Sequence, residues 1–286
     1  MKIIPGVSTQ VLAARIATEL GGKVSLCEFK RFPDGELYTR VVDDVKDEEV
    51  TIVQSLIADS GMIDLLQLID AVEEAHKTTV IIPYLGYARQ DKRFKPGEAI
   101  SSRAIARGIS FAGIVDRIYI VNVHNHAVLR YFDVEANNLD AAPLIGDYIA
   151  QKEIEEPVII GPDEGARELA KAVAVHHGFD YDVLEKKRIS GDEVRITPKE
   201  VCVAGKNVVI VDDIISTGGT IAEAASMIKA HGANDIYVAC IHGLFMQNAT
   251  IRILNAGVEE IIATDTIQSI FSEISVAKLI AEELTR

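Results

Sequence analysis

The chain has 286 residues, of which 48% are hydrophobic and 25% are charged, and its formal net charge is −14. This composition is typical of a globular protein with a sizeable core, and the acidic balance excludes general binding to nucleic acid, which needs a basic face. Such a chain repels a polyphosphate ligand overall, so a site for one has to be locally cationic or carry a metal ion.

Cellular location is indicated by the cysteines and by the first residues. Cys27, Cys202 and Cys240 form no Cys-x-x-Cys pair, so we predict neither a disulfide framework nor a zinc cluster, and a cytoplasmic location is favoured. The first residues, "MKIIPGVSTQ", lack the long apolar segment of a signal peptide. No apolar run approaches the length that spans a membrane, so we predict no membrane partner.

Apolar, strand-like runs alternate with helix-like segments along most of the chain. The runs "VTIVQSL" and "TTVIIPYL" flank the helical pattern "MIDLLQLIDAVEEAH", and "NVVIVDD" and "DIYVACIHGLF" flank "IAEAASMIKAHG". Continuous β-branched runs separated by amphipathic helices are typical of parallel sheets covered on both faces. The sequence therefore predicts an α/β fold with mainly parallel sheets.

These two groups of segments match each other without a gap through strand, loop, helix and second strand. Chance similarity of apolar residues is the alternative explanation. Gln54 and Ser55 of the first group stand where the second has Asp212 and Asp213. We therefore predict two similar doubly wound domains, of which only the second keeps acidic chemistry.

The boundary between the domains is predicted within "NNLDAAPLIGDYIA". A polar turn, Pro143 and the start of a new helical pattern coincide there. The predicted domains are residues 1–140 and 141–272, and we expect the tail, 273–286, to pack back on the first domain.

Two stretches of the first domain could meet a nucleotide. In "FKRFPDGELYTRV", Asp34-Gly35 predicts a hairpin turn, and Phe32, Asp34 and Glu36 also gather an aromatic ring and two acceptors that could hold adenine. From the residues alone the hairpin is favoured. In "PYLGYARQDKRF" and the residue that follows, basic side chains accumulate, and a solvated loop and an anionic partner are equally good explanations.

Three further stretches contain candidate metal-binding or catalytic residues. His124 in "VNVHNHAVLRYF" follows a strand, where a structural or surface histidine is more common than a ligand. Asp163 in "IIGPDEGARELA" could hold magnesium beside a sugar phosphate. Lys186 and Arg188 in "VLEKKRISGDEVRI" could neutralise a transferring group, or serve solubility alone. The polar segment after them is predicted to be a mobile loop that closes over a substrate.

The last motif is "VVIVDDIISTGGT", residues 208–220. A buried strand is predicted to end at Asp213, and ligands bind at the carboxyl edge of open α/β sheets. Asp212 and Asp213 could accept hydrogen bonds from the vicinal hydroxyls of a sugar. The small residues that follow could hold a phosphate at the start of a helix, and these are Ser216, Thr217, Gly218, Gly219 and Thr220. Simple helix capping is the alternative.

Taken in order along the chain, these stretches resemble the ribose-phosphate pyrophosphokinase family. "VVIVDDIISTGGT" alone is similar to the phosphoribosyl pyrophosphate loop that this family shares with type I phosphoribosyltransferases, but ordinary transferases lack "FPDGE" and "YARQDK". The resemblance implies type I phosphoribosyltransferase-like domains and a homo-oligomer built from dimers. It also implies an enzyme that transfers the diphosphoryl group of ATP to ribose 5-phosphate, with Mg²⁺ as cofactor.

The resemblance also implies a role for each matching residue. Its ATP site comprises Phe32, Asp34, Glu36, Arg89, Gln90, Asp91 and His124, of which the first three hold adenine across a subunit interface. Its ribose 5-phosphate site comprises Asp212, Asp213, Ser216, Thr217, Gly218, Gly219 and Thr220. It places metal at His124 and Asp163, and catalysis at Lys186 and Arg188.

Two departures keep alternatives open. Many members of the family have an acid where this chain has Ser216, and many have an acid in place of Lys187. A phosphoribosyltransferase acting on a nucleobase and a non-catalytic regulatory homologue are the alternatives. The sequence has no Gly-x-x-x-x-Gly-Lys-Ser/Thr motif, so a nucleotide has to be held in another way.

Overall fold

The structure is a computed structural model that describes residues 1–110, 113–190, 193–198 and 202–286, without the side chains of residues 186–201. It divides into two compact units. Unit 1 consists of residues 1–140, 266–268 and 275–286, and unit 2 consists of residues 141–265 and 269–274. Among the helices of the described ranges, none has the length and apolarity needed to cross a membrane.

Unit 1 is built around a parallel sheet. Its elements in chain order are β1 (Lys2–Pro5), α1 (Gln10–Glu19), β2 (Cys27–Arg31), β3 (Leu37–Val41), β4 (Glu49–Val53), α2 (Ala58–Asp70), β5 (Lys77–Ile82), α3 (Ser101–Ser110), β6 (Arg117–Val121) and β7 (Glu135–Leu139). The sheet has the order β1-β4-β5-β6-β7, and all its pairs are parallel. β2 and β3 form a separate antiparallel hairpin.

The core of unit 1 lies between the sheet and its helices. Ile52 and Val80 of the central strands are fully buried, and Leu65, Leu68 and Ile69 line one face of α2 against them. Side chains that recur at i, i+3 and i+4 form a single apolar stripe on a helix, so burial of this stripe holds α2 on the sheet.

Unit 2 has a larger, mainly parallel sheet. Its elements in chain order are α4 (Ala142–Gln151), β8 (Val158–Gly161), α5 (Arg167–Val175), β9 (Asp180–Ser190), β10 (Glu193–Pro198), β11 (Val208–Ile215), α6 (Gly219–Ala230), β12 (Ile236–Gly243), α7 (Ala249–Asn255), β13 (Glu260–Thr264) and β14 (Ser272–Ile274). The strand order is β10-β9-β8-β11-β12-β13-β14. The chain then returns to unit 1, where α8 (Ala277–Leu284) packs against α1.

The two units repeat one topology. The strand order β1-β4-β5-β6-β7 of unit 1 recurs as β8-β11-β12-β13-β14 in unit 2, and in each unit a hairpin follows the first strand and helix. The hairpin β9-β10 joins the sheet through β9, whereas β2-β3 stays apart from it. The prediction of two similar α/β domains with mainly parallel sheets is confirmed.

One prediction about local structure is wrong. The polar segment after Arg188 was predicted to be a mobile loop, but its residues 193–198 form β10, which pairs antiparallel with β9. Closure of the segment over a substrate stays a prediction. Val194 and Ile196 alternate with Arg195 and Thr197, which is the period of a strand. The alternation spans only four residues and is flanked by charges and a glycine, so it is a weak strand signal.

Close packing of α4 on α5 depends on Gly146. A Cβ atom at this position would lie 2.3 Å from the carbonyl oxygen of Val173, so the two helix backbones approach as closely as only glycine allows. Gly146 lies on the buried side of α4 together with Ile145 and Ile149.

Gly146→Ala should therefore lower the melting temperature. Overpacking of a close contact costs about 1–3 kcal/mol, and roughly 2–4 °C is lost per kcal/mol in domains of this size. Thermal unfolding without ligands measures the effect. Gly22→Ala is the control, since its Cβ would meet only the Ala17 carbonyl oxygen at 3.7 Å. A melting temperature unchanged by Gly146→Ala would contradict the close contact.

Candidate active site

Two adjacent carboxylates lie at the carboxyl edge of the sheet in unit 2. Asp212 and Asp213 belong to β11, which lies between β8 and β12. The strand continues to Ile215, two residues beyond its predicted end. Val208–Val211 are completely buried, whereas both aspartates are half-buried at the edge. The apolar run thus anchors the strand, and the acids face the region where ligands bind in this kind of fold.

The pKa of Asp212 is raised by its surroundings. Burial, followed by the charge of Asp213 and a hydrogen bond from it, raises the pKa of Asp212 to about 8. The backbone N–H of Asp213, which donates to Asp212 Oδ1 at 3.0 Å, acts in the opposite direction. The raised pKa favours the protonated form of Asp212, which lessens the repulsion between the two side chains.

Asp163 adds to the same site. It follows β8, caps a short 3₁₀ turn at Glu164–Ala166, and accepts a hydrogen bond from the Gly165 N–H at 2.9 Å. Its side chain is exposed, and its negative charge also raises the pKa of Asp212. The structure therefore brings Asp163 within electrostatic range of the acid pair, although they lie far apart in sequence.

The loop after β11 is held by its carbonyl groups. Met246 N–H donates to the Ser216 carbonyl at 2.9 Å, and the Arg252 guanidinium donates to the Thr217 carbonyl. Gly218, the residue immediately before α6, has φ +70°, where glycine is favoured. With these carbonyls engaged, the first N–H groups of α6, which lack partners within a helix, are the groups left for an anion.

The helix that follows this loop agrees with its prediction. Four apolar residues of α6 were expected on one face, and all four are buried, namely Ile221, Ala224, Ala225 and Ile228. Gly232 follows the C-terminal cap with φ +86°. Arg252, on α7, had no signal in the sequence because it acts only through a contact formed by the fold.

In unit 1, the "FPDGE" segment is a hairpin turn, as the Asp-Gly pair predicted. Phe32 N–H donates to the Glu36 carbonyl at 2.8 Å, and Gly35 N–H donates back to the Phe32 carbonyl at 2.9 Å. The ring of Phe32 is 52% exposed and lies edge-on to Tyr38. Asp34 and Glu36 are also exposed, so the turn presents an aromatic ring and two carboxylates to solvent.

This hairpin is attached to α2 by Gln67. The amide oxygen of Gln67 accepts from the Thr39 hydroxyl at 2.8 Å, and its nitrogen donates to the Leu37 carbonyl at 3.0 Å. Arg31 closes the turn by donating to the Gly35 carbonyl at 2.8 Å. Sequence patterns missed Gln67, which lies in a helix 30 residues after Leu37.

The basic loop of unit 1 is exposed and internally braced. Its four cations are exposed, namely Arg89, Lys92, Arg93 and Lys95. The Gln90 side chain donates to the Lys92 carbonyl at 3.2 Å, and the Gln90 carbonyl accepts from the Ser102 hydroxyl. At the start of the loop, the Tyr87 hydroxyl donates to Asp59 on α2. The loop therefore presents its positive charges on a fixed backbone.

Asp91 connects this loop to the histidine segment. Its carboxylate accepts from the Asn125 side chain, and its carbonyl accepts from the Tyr131 hydroxyl at 3.2 Å. The adjacent His124 is exposed. Among the predicted ATP residues, the structure thus brings the Asp91 loop together with the strand end that carries His124.

The strand end of unit 1 that corresponds to the acid pair carries no charge. Gln54 and Ser55 are fully buried. Ser55 donates to the Thr266 carbonyl at 2.7 Å, and Gln54 Oε1 accepts from the Ser8 hydroxyl at 3.2 Å. Gly6 makes room for Gln54, since a Cβ there would lie 1.9 Å from Oε1. This edge is therefore filled by the protein's own side chains.

The three cysteines differ in exposure. Cys240 is buried beside Asp212 in the neighbouring strand, and burial together with the two acids raises the pKa of its thiol. Cys27 is half-buried, and burial raises the pKa of its thiol to about 11. Cys202 is exposed.

The predicted catalytic residues Lys186 and Arg188 lie outside the residues whose side chains the structure describes. Their backbone belongs to β9. The assignment of catalysis to them stays a prediction.

Comparisons with known proteins identify the family. Residues 1–113 match the model for the N-terminal domain of ribose phosphate pyrophosphokinase, and residues 129–267 match the phosphoribosyl transferase domain. Ribose-phosphate pyrophosphokinase of Methanosarcina acetivorans is 54% identical over 286 residues, covering all of both chains. The chain belongs to the ribose-phosphate pyrophosphokinase family.

Other members of the family give the same result. Ribose-phosphate pyrophosphokinase 2 of Archaeoglobus fulgidus is 44% identical over 284 residues, covering 99% of this chain and 100% of the relative. The crystal structure of phosphoribosylpyrophosphate synthetase from Mycobacterium smegmatis superposes with a TM-score of 0.88 at 30% identity, covering 99% of this chain and 97% of that one. The similarity thus extends over both units.

The raised pKa of Asp212 predicts that the free energy of unfolding of this pyrophosphokinase family member depends on pH. The unfolded chain keeps this proton only below about pH 4, whereas the folded chain keeps it up to about pH 8. Between these values the folded state binds more protons, so the free energy of unfolding falls as pH rises. Asp212→Asn stays neutral and can still accept from the Asp213 N–H. It should therefore be stabilised relative to wild type, increasingly from pH 5 to pH 8.

Thermal unfolding without ligands or divalent cations tests this expectation. The melting temperature of Asp212→Asn minus that of wild type should rise by a few degrees across this range. Glu259→Gln removes an exposed carboxylate from the same unit and should give a difference that is nearly independent of pH. A difference that is flat for both variants would count against the raised pKa.

Proposed function

We propose that this chain transfers the diphosphoryl group of ATP to the C1 hydroxyl of ribose 5-phosphate, giving 5-phosphoribosyl 1-diphosphate and AMP. The chain is an enzyme of the ribose-phosphate pyrophosphokinase class, as its full-length relatives are. The observation that carries the proposal is the acid pair of β11, followed by a loop whose Ser216 and Thr217 carbonyls accept hydrogen bonds from Met246 and Arg252. This arrangement offers acceptors for a diol and donors for a phosphate.

The sugar phosphate is assigned to unit 2. Asp212 and Asp213 would accept hydrogen bonds from the vicinal hydroxyls of the sugar. The 5-phosphate would lie at the start of α6, where residues 216–220 supply N–H and hydroxyl groups. Glycine at 218 and 219 lets the phosphate approach the backbone closely.

ATP is assigned to residues of unit 1. The exposed ring of Phe32 supports stacking of adenine, and the neighbouring carboxylates of Asp34 and Glu36 are acceptors for its amine. Arg89 is an exposed cation on the braced loop, where it would attract the phosphates in a chain of net charge −14. The structure gives Gln90 and Asp91 internal hydrogen bonds that position this loop.

Magnesium is part of the proposal, and unit 2 fits it. Asp163 is an exposed oxygen donor in a region with excess negative charge, because its charge and that of Asp213 both act on Asp212. Mg²⁺ prefers such oxygen ligands. When bound, the ion would supply positive charge to phosphate oxygens. His124 offers nitrogen, which Mg²⁺ prefers less, so its role at the metal is the weaker assignment.

The reaction needs alignment and charge neutralisation rather than a covalent intermediate. The C1 hydroxyl attacks the β-phosphorus of ATP, the bond from that phosphorus to the α-phosphate oxygen breaks, and AMP leaves. The residues of unit 2 would hold the sugar so that its hydroxyl is correctly oriented. Lys186 and Arg188 would neutralise the charge that develops on the transferring group.

We also propose a cytoplasmic homo-oligomer built from dimers. The support is the implied sharing of the adenine site between subunits and the exposed ring of Phe32, a large apolar side chain that a partner or a nucleotide would cover.

A coupled assay tests the reaction. The wild-type protein is mixed with ATP, ribose 5-phosphate and Mg²⁺, and no nucleobase is added. It should form AMP and 5-phosphoribosyl 1-diphosphate in equal amounts. Asp212→Asn with Asp213→Asn should lose calorimetric binding of ribose 5-phosphate while keeping its fold, because both diol acceptors change. No AMP from ATP and ribose 5-phosphate, together with pyrophosphate release from added 5-phosphoribosyl 1-diphosphate that requires a nucleobase, would instead support a phosphoribosyltransferase.

The adenine assignment predicts a selective effect of Phe32→Ala. Loss of one stacking partner costs ~1–3 kcal/mol, so the KM for ATP should rise roughly fivefold to a hundredfold while the KM for ribose 5-phosphate changes little. Leu26→Ala removes another exposed apolar side chain just before the same hairpin and is the control. Equal effects of Phe32→Ala on both substrates would argue against adenine stacking.

Removal of either predicted catalytic cation should lower kcat far more than KM. Lys186→Ala and Arg188→Ala should each reduce kcat by ~10²–10³-fold, the loss expected for one preorganised donor in the transition state. Lys171→Ala removes an exposed cation elsewhere in unit 2 and should leave kcat unchanged. Near-wild-type kcat at saturating substrates and magnesium in either variant would refute the assignment.

A further inference from the structure

We propose a transition-metal site on unit 2, formed by Asp147, His176 and His177. Each of these side chains offers one ligand atom, and the three atoms all lie within 4.8 Å of one another. His177 Nε2 and Asp147 Oδ1 are 2.7 Å apart. Neither the family resemblance nor the proposed reaction uses any of these residues, so the site is an additional one.

The helices bring the three ligands together. Asp147 is on α4, next to Gly146, and His176 and His177 follow α5 directly. The close contact of Gly146 with the Val173 carbonyl holds α4 against the end of α5. A Cβ atom placed on Gly146 would lie 3.4 Å from the His177 ring, so α4 also passes close to this histidine. The ligand set therefore depends on the tight packing of these two helices.

The ring positions are also supported from the side. The His177 ring stacks on Phe179, with centroids 5.4 Å apart and planes 23° apart. His176 lies edge-on to His177, with centroids 5.1 Å apart. Since neighbouring aromatic rings limit rotation of the imidazole, the metal-binding geometry is partly preorganised.

The ligand chemistry selects the class of ion. Two imidazoles and one carboxylate suit Zn²⁺ and its transition-metal neighbours, whereas Mg²⁺ prefers oxygen alone. Three protein ligands leave a fourth position for water. His177 and Asp147 are half-buried and His176 is exposed, so an ion reaches them from solvent. The ion would link α4 to the end of α5.

The site lies at the opposite edge of the sheet from the acid pair. β8 and β9 are parallel neighbours, so α5, which connects them, starts at the carboxyl edge and ends at the amino edge, where the histidines are. Asp212 and Asp213 occupy the carboxyl edge. Zinc binding here is therefore separable from substrate binding, and its readout does not require activity.

Zinc titration of the full chain tests the proposal. Saturating Mg²⁺ fills sites made of oxygen ligands, and isothermal calorimetry then measures Zn²⁺ binding to wild type, Asp147→Asn, His177→Ala and His76→Ala. His76 is an exposed histidine of unit 1 and serves as the control. Wild type and His76→Ala should bind one more Zn²⁺ per chain than the other two variants, or bind it roughly ten- to a hundredfold more tightly.

Asp147→Asn separates metal binding from structure. The asparagine oxygen can still accept a hydrogen bond from His177, so the melting temperature without metal should stay close to that of wild type. Added Zn²⁺ should raise the melting temperature of wild type and not that of Asp147→Asn. Equal stoichiometry and equal affinity in all four proteins would overturn the proposal and leave the cluster as a hydrogen bond at a helix end.

Discussion

The repulsion between two carboxylates at the end of one buried strand is the constraint on which the site in unit 2 depends. Asp212 and Asp213 cannot both ionise there without cost, so burial and the neighbouring charge raise the pKa of Asp212. The groups that follow the acid pair in the chain place partial positive charge near this excess of negative charge. The N-terminus of α6 carries the positive end of the helix dipole. In the loop before it, the Ser216 and Thr217 carbonyls accept hydrogen bonds from Met246 and Arg252.

Unit 1 shows what the same strand end becomes when the charges are absent. Gln54 and Ser55 are buried and hydrogen-bonded within the unit, and Gly6 gives Gln54 its space. One topology therefore supports two uses. The strand of unit 2 places two carboxylates at the carboxyl edge of its sheet, whereas the corresponding strand end of unit 1 is filled by Gln54 and Ser55 and contributes to the fold.

Features set by local patterns could be predicted from the sequence, and features set by distant contacts could not. β-branched runs predicted the parallel sheets, and the Asp34-Gly35 pair predicted its hairpin because a tight turn needs those residues. Gln67 and Arg252 were missed because their partners are remote in the chain. β10 was missed because its charged residues obscured a short alternation. The roles of Lys186 and Arg188 rest on resemblance, since no local pattern separates a catalytic cation from a solvated one.

The unequal exposure of the cysteines has a practical consequence for spectroscopy. The thiol of Cys240 is inaccessible and kept protonated by its surroundings, and that of Cys27 is partly covered with a raised pKa, whereas Cys202 is open to solvent four residues after β10 ends. A maleimide fluorophore at neutral pH will therefore attach selectively at Cys202. The unaltered chain thus carries its own labelling position beside the β9-β10 hairpin, the segment on which the predicted catalytic cations lie.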